Sequence, residues 1–247
     1  MKFAVRIFLK LVPVAFLAAL IYLAIAIGPS LIHLWDIWEL KNQNPDGTAL
    51  IRQRSKEYTA KKQKIKTRWK FVPYEEIPQN LKDAVRLAED GAFFSHSGVD
   101  LHEFKEAVKQ NLKAGRYKRG ASTISQQLVK NLYLSTKKNL SRKAAELILT
   151  VALEHRLSKA RIFELYLNYI EWGQGVYGCE AASLAYFEKS CRDLSLEEII
   201  RLTSITVNPR RYGPYTKSEF IKKRRERIAQ RLLHAKKISP AEYKKLL

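Results

Sequence analysis

The chain has 247 residues, and 45 Lys and Arg against 24 Asp and Glu give it a formal net charge of +21. Its two cysteines, Cys179 and Cys191, exclude a disulfide framework, no Cys or His spacing suits a zinc site, and spacing alone does not decide whether the two pair. The charge is concentrated: residues 51–70 hold nine basic side chains and one acid, and residues 210–247 hold thirteen and three, while 71–209 is close to neutral. Such stretches suit phosphates on a nucleic acid, a lipid surface or a charged substrate, with solvated helix faces as the plain alternative.

Lys2, Arg6 and Lys10 precede a stretch from 11 to 35 that carries no charge. Its length meets the roughly 20 apolar residues that a membrane-spanning helix needs, and Trp35 and Trp38 suit an interface. Gly28-Pro29 could end that helix early, and Ala24-Ile25-Ala26 is compatible with a cleaved signal peptide. Both readings send the remainder out of the cytoplasm. Basic residues on the two sides of the span nearly balance, so charge does not fix its orientation.

Asn44-Pro45-Asp46-Gly47 is a turn cluster, and 36–70 reads as a basic linker leading into a domain over 71–247. That domain is long enough to bury most of its apolar surface and hold a rigid cleft. Capping pairs mark helix starts at Asp100 with Glu103, Ser195 with Glu198, Thr216 with Glu219, and Ser239-Pro240 with Glu242. Gly115 supplies a stop. Further helices are expected at about 79–90, 123–134, 141–157, 159–172 and 178–187 from their periodicity. The expected fold class is all or mostly α.

Four blocks carry candidate chemistry. In the first, Glu89 and Asp90 stand at the end of a helix, where the macrodipole disfavours carboxylates and so raises their affinity for a proton. That direction suits a general base, while the plain reading is a polar helix end. The second, Gly120-Ala121-Ser122-Thr123-Ile124-Ser125-Gln126-Gln127-Leu128-Val129-Lys130-Asn131, opens a helix whose first amides can hold an anion. Gln127, Lys130 and Asn131 share one face of it. It lacks the spacing of a nucleotide phosphate loop. The third pairs Arg142 with Glu146 one turn apart, either as an exposed ion pair or as a second acid with a guanidinium beside it for a leaving group. The fourth, from Arg161 through Asn168 to Gly178, reads mainly as structure.

Taken in order, these blocks resemble the family 51 glycosyltransferases, the peptidoglycan polymerases whose transglycosylase domain also occurs in penicillin-binding proteins. Glu89-Asp90-x-x-Phe93-x-x-His96-x-Gly98 is similar to the first motif, the 120–131 block to the second and Arg142-Lys143-x-x-Glu146 to the third. Residues 161–178 resemble the fourth, and Val207-Asn208-Pro209-x-x-Tyr212 the last. The resemblance implies a lysozyme-like helical domain with a smaller membrane-facing lobe near 92–130. It implies an enzyme that joins lipid-pyrophosphate-linked glycan to the 4-hydroxyl of lipid II, with inversion and release of polyprenyl pyrophosphate. Glu89 would be the base and Glu146 the second catalytic acid. Phe93, His96, Ser122, Thr123, Gln126, Gln127, Lys130, Asn131, Arg142 and Lys143 would bind substrate or pyrophosphate.

The implied partners are lipid II, the growing strand, the membrane and proteins of cell-wall synthesis or division, with no nucleic acid. No cofactor is required; a magnesium or manganese ion is compatible, but no ligand cluster demands one. The implied location is the bacterial cytoplasmic (inner) membrane, as a single-pass protein with residues 1–10 cytoplasmic and the catalytic domain on the periplasmic or extracellular side. Ser135-Thr136-Lys137-Lys138 fits Ser-x-x-Lys, but no Lys-Thr-Gly accompanies it, so a monofunctional enzyme without a transpeptidase is expected. Gly91, Ala121 and Glu188 depart from the family pattern, and Glu188 stands where a glycine is common. The competing readings are a lytic or lysozyme-type hydrolase and a basic binder of membrane or nucleic acid.

Overall fold

A computed structural model describes residues 2–116, 120–136 and 139–246, so Arg119, Lys137 and Lys138 of the sequence motifs lie outside the described residues. Within them the fold is mostly α, as expected. Helix α1 (Lys2–Leu31) runs through Pro13 and Pro29, and the chain turns at Ile32 into α2 (His33–Glu39). Gly28-Pro29 therefore does not end the helix: a proline removes one backbone bond, and the neighbouring turns carry on. One stretch, Val12–Glu39, is long and apolar enough to cross a membrane, and α1 and α2 both pack on α7 (Leu140–Arg156).

The segment expected as a basic linker holds a further helix, α3 (Ala49–Ala60), whose start is capped by Thr48 accepting from the Ile51 amide at 3.1 Å. Leu50 and Tyr58 are buried, and α3 packs on α6 (Ile124–Tyr133). Arg161 fastens the preceding turn. Its guanidinium donates to the Leu40 carbonyl at 2.8 Å, the Gln43 carbonyl at 2.8 Å and Asn44 Oδ1 at 2.7 Å.

Helix α6 is the centre of the core. Ile124, Leu128, Val129 and Leu132 are buried along it, against α3, α7 and α8 (Lys159–Tyr169). Helix α8 stops at Tyr169 rather than 172, because Ile170 turns extended (φ −69, ψ 151) and feeds a small sheet. Strands β1 (Arg68–Trp69), β2 (Glu171–Gly173) and β3 (Val176–Tyr177) pair in the order β1-β3-β2, and Trp172 is fully buried there. Asn168 locks this corner: its Oδ1 accepts from the Val72 amide at 2.8 Å and its Nδ2 donates to the Val72 carbonyl at 2.9 Å. The structural reading of the fourth block fits these bonds.

Helix α4 (Gln79–Glu89) packs on α10 (Leu196–Ser204) and α11 (Glu219–His234), while α5 (Leu101–Ala114) stands apart with an apolar face in the open. The capping boxes at Ser195 and at Ser239, before α12 (Pro240–Lys245), form in full, and Asp100 accepts from the Glu103 amide at 2.8 Å. Thr216 does not cap α11. Its hydroxyl accepts from the Gly213 amide at 2.9 Å within the preceding turn, and Ser218 occupies the cap position without a side-chain bond. Cys179 and Cys191 are free and buried, and contact with Cys179, then burial, pushes the Cys191 thiol up.

Helix α9 (Cys179–Phe187) ends on Glu188 in the left-handed region, at φ 59 and ψ 25. A side chain there costs about 1–2 kcal/mol that glycine avoids, which accounts for glycine being common at this position and makes Glu188 the strained exception. Glu188→Gly should raise stability by about 0.5–1 kcal/mol in denaturant titration, and Glu188→Ala should not. Equal stability of the two variants would remove the strain.

Candidate active site

Helix α4 delivers two carboxylates at its C-terminal end, and the fold sends them in different directions. Glu89, partly buried, accepts hydrogen bonds on Oε1 from Arg224 Nη2 at 2.7 Å and Thr206 Oγ1 at 2.6 Å, and on Oε2 from Gln127 Nε2 at 3.3 Å. Arg224 is itself aimed by its Nε, which donates to the Ser204 carbonyl at 3.1 Å. Two turns further along α11, Arg231 donates to the Leu87 carbonyl at 2.6 Å, so the negative end of α4 is met by two arginines of one helix.

Asp90 turns inward. It accepts from the Ile124 amide at 3.0 Å, and His96 Nε2 sits 3.1 Å from each of its oxygens. The Gly98 amide donates to His96 Nδ1 at 3.1 Å, which leaves Nε2 as the nitrogen that donates to Asp90. Gly98 is required at this point: its φ is +92, and a Cβ would lie 2.8 Å from Thr150 Cγ2 and 2.9 Å from Glu154 Cγ.

These bonds show what several of the expected site residues hold in the fold. The first amides of α6 do not await a ligand, because Asp90 supplies the anion, and Thr123 with Gln126 closes a capping box over the next amides. Thr123 also donates to the Gly98 carbonyl at 2.6 Å. Thr123 and Gln126 are thus engaged in holding the helix start, and both ring nitrogens of His96 are taken. Phe93 is 0% exposed and packs against Phe163 and His96, so it builds core. Ser122 is exposed beside the helix start, and Asn131 is buried at 8% exposure.

Four residues form a charged cluster near Glu89. On α7, whose start is capped by Asn139 accepting from the Arg142 amide at 2.7 Å, Glu146 is 2% exposed. Arg142 Nη1 donates to it at 2.5 Å and Lys143 Nζ donates to its other oxygen. The third block is therefore a buried acid held by a partly buried arginine and a half-exposed lysine, and not an exposed ion pair. Arg142 Nε is buried with no partner among the described residues.

Lys130 of α6 stands between the two acids in charge. Burial pulls its ammonium below the ordinary lysine range, the charges of Arg142 and Lys143 add to that, and Glu146 and Glu89 oppose it. Gln127, one turn earlier on the same face, contacts Glu89 and accepts from the Tyr166 hydroxyl at 3.2 Å. Chemically, the arrangement offers a fixed carboxylate as proton acceptor and three cations for a charged leaving group.

Arg224 and Thr206 were missed by sequence reasoning. Arg224 lies within the basic run 210–247, which suits phosphates or, on the plain alternative, a solvated helix face, and neither reading points to a partner for Glu89. A signal was present, since Ile221, Ile228 and Leu232 mark the buried stripe of α11 and Arg224 falls on it.

Asp90, His96 and Asp100 have ligand atoms within 4.8 Å of one another, the one cluster among the described residues with that spacing. It does not suit a magnesium or manganese ion. Asp90 and His96 are engaged with each other and with backbone amides, Asp100 caps α5, and a histidine is a poor ligand for magnesium.

A family model described as a transglycosylase matches residues 55–233. A protein of Thiobacillus denitrificans named biosynthetic peptidoglycan transglycosylase is 39% identical over 206 residues, covering 81% of this chain and 89% of its own length. Proteins of the same name from Aromatoleum aromaticum and Chromobacterium violaceum are 45% identical over 169 residues and 39% over 204. They cover 68% and 80% of this chain, and 74% and 89% of their own lengths.

The lowered proton affinity of Lys130 has a signed consequence for stability. Its charge is a cost to the fold that is complete below its folded value and vanishes as pH climbs toward the ordinary 10.5. Lys130→Met should therefore melt at or above the wild-type temperature at pH 7, with the wild type catching up as the buffer is taken toward pH 10.5. A variant that melts well below the wild type at pH 7 would contradict this.

Proposed function

The chain belongs to the transglycosylase family and is a peptidoglycan glycosyltransferase of cell-wall synthesis, and we propose that Glu89 is the base of its reaction. The substrate is lipid II together with the glycan strand it extends. Glu89 takes the proton from the 4-hydroxyl of the acceptor sugar as that oxygen attacks the anomeric carbon of the donor. The bond from that carbon to the pyrophosphate breaks, and polyprenyl pyrophosphate leaves with the electron pair. A single displacement inverts the anomeric configuration, with a sugar hydroxyl in the place that water takes in inverting hydrolysis.

The observation that carries this reading is a Glu89 carboxylate held by Arg224, Thr206 and Gln127, with Lys130 one turn beyond Gln127 on the same face of α6. Lys130, Arg142 and Lys143 bear the negative charge that develops on the pyrophosphate, where a dry site strengthens their effect. Glu146 orients Arg142 and Lys143. Arg224 and Thr206 hold the Glu89 carboxylate in one orientation. A magnesium or manganese ion would supply further positive charge against the leaving pyrophosphate, and the described residues present no open ligand set for it.

The lipid-linked substrate stays in the bilayer, and the helix Val12–Glu39 suits a single span that keeps the domain beside it. Phe94, Leu101, Phe104 and Leu112 expose a further apolar face on and before α5, which rests on lipid. In this reading the N-terminus is cytoplasmic and the domain lies on the outer face of the bacterial cytoplasmic membrane, where the strand is built.

Purified full-length protein given lipid II should make polymer, and given finished glycan should release no fragments. Glu89→Gln should lower polymerisation about a thousandfold with unchanged circular dichroism, as expected for loss of a general base. Glu146→Gln and Arg224→Ala should each cost about tenfold to a hundredfold, as supporting groups. Near-normal turnover of Glu89→Gln removes it from the role, and fragments from finished glycan would favour a hydrolase.

A further inference from the structure

Cys179 and Cys191 take no part in the site described above, and the fold brings them to one point. Cys179 is the first residue of α9, and Cys191 opens the short 3-10 turn Cys191–Asp193 that follows it. The chain between them doubles back through Glu188, whose left-handed backbone ends α9, and Ser183 donates to the Lys189 carbonyl at 2.7 Å across the reversal. Glu180, next in sequence to Cys179, then takes hold of the returning chain. Its Oε2 accepts from the Cys191 amide at 2.8 Å and from the Ser190 hydroxyl at 3.1 Å. Both cysteines are 0% exposed, and the two thiols are in contact.

Two small apolar side chains filling core would account for the burial alone. Here, however, the buried Glu180 spends a carboxylate oxygen on fixing the Cys191 backbone beside the start of α9. The approach of the two residues is thus set by charge-assisted bonds and does not depend on how the sulfurs pack. The chain has no other cysteine, so each of the two is the other's one thiol partner within it. The surroundings also preserve whichever state is set as the chain folds. The neighbouring thiol, burial and the Glu180 carboxylate all hold the proton on Cys191, and neither side chain is open to solvent, so exchange in the folded protein is blocked.

We propose that Cys179 and Cys191 are joined by a disulfide in the exported protein. The proposal rests on the outward placement of the domain argued above, because disulfides form and persist on that side of the membrane. The reaction belongs to the unfolded chain, before α9 packs, and its oxidant is the disulfide of a thiol oxidase. One cysteine attacks that bond as its thiolate and forms a mixed disulfide, and the other then displaces the oxidase sulfur. One S–S bond forms in this chain, the S–S bond of the oxidase is reduced to two thiols, and the two thiol protons pass to it. The cross-link closes the loop that carries the strained Glu188 and leads into α10, the helix ahead of Thr206.

The test takes full-length protein from bacterial membranes quenched in acid, alkylates it with N-ethylmaleimide in denaturant before and after reduction, and counts adducts by mass spectrometry. No adduct before reduction and two after, on a chain that runs as a monomer in a non-reducing gel, is the expected result. Two adducts before reduction would overturn the proposal. Proteinase added to spheroplasts of the same cells reports the placement separately. Free thiols in a domain digested from outside sink the disulfide alone, whereas free thiols in a protected domain sink the placement together with it. Melting in a phosphine reductant should lie about 5–10 °C below melting without it, and the double variant Cys179→Ala, Cys191→Ala should melt alike in both. A wild type that also melts alike in both would overturn the bond.

Discussion

Two adjacent acids at the negative end of one helix are an electrostatic liability, and the domain is arranged around resolving it. Asp90 is satisfied by the amide that opens α6 and by His96, which joins the end of one helix to the start of the next. Glu89 is satisfied by Arg224 of α11, whose neighbour Arg231 covers the last carbonyls of α4. The fold thus keeps the pair by giving each acid a different partner element, and one of the two is left at the edge of a charged cluster.

The same division explains why so many residues of the first two motifs are structural. Gly98, His96, Thr123 and Gln126 form a mesh of short bonds that fixes where α6 begins. Gln127 and Lys130 follow on its next turn, so their positions relative to Glu89 are set by backbone geometry and not by loose side chains. On the far side, Glu146 takes up Arg142 and Lys143. A cluster of three cations and one acid retains net positive charge, as a site for a pyrophosphate leaving group needs.

Much of this was legible in the amino-acid order, and the exceptions have physical causes. Helices with a side-chain oxygen at the cap and an acid three residues on, at Ser195 and Ser239, stood out because that pairing answers a definite need of the backbone. Thr123 with Gln126 carries the same signature and was read as ligand-binding because its surroundings suggested an anion. Helix α3 was hidden in a lysine-rich run with only Leu50 and Tyr58 to bury. Strands of two or three residues have no period to detect. Phe93 and Phe94 look alike in sequence, yet one is core and the other is exposed, and only tertiary packing decides which.

Helix α7 carries Glu146 in its first half, and α1 and α2 lie against it. Seated in this way, α1 and α2 form a fixed post and not a tether, so if the helix spans a bilayer as proposed, the height of the Glu146 cluster above it is set by packed helices. On the proposed reading, the packed helices would make the domain a gauge of the depth at which a lipid-linked substrate meets the cluster.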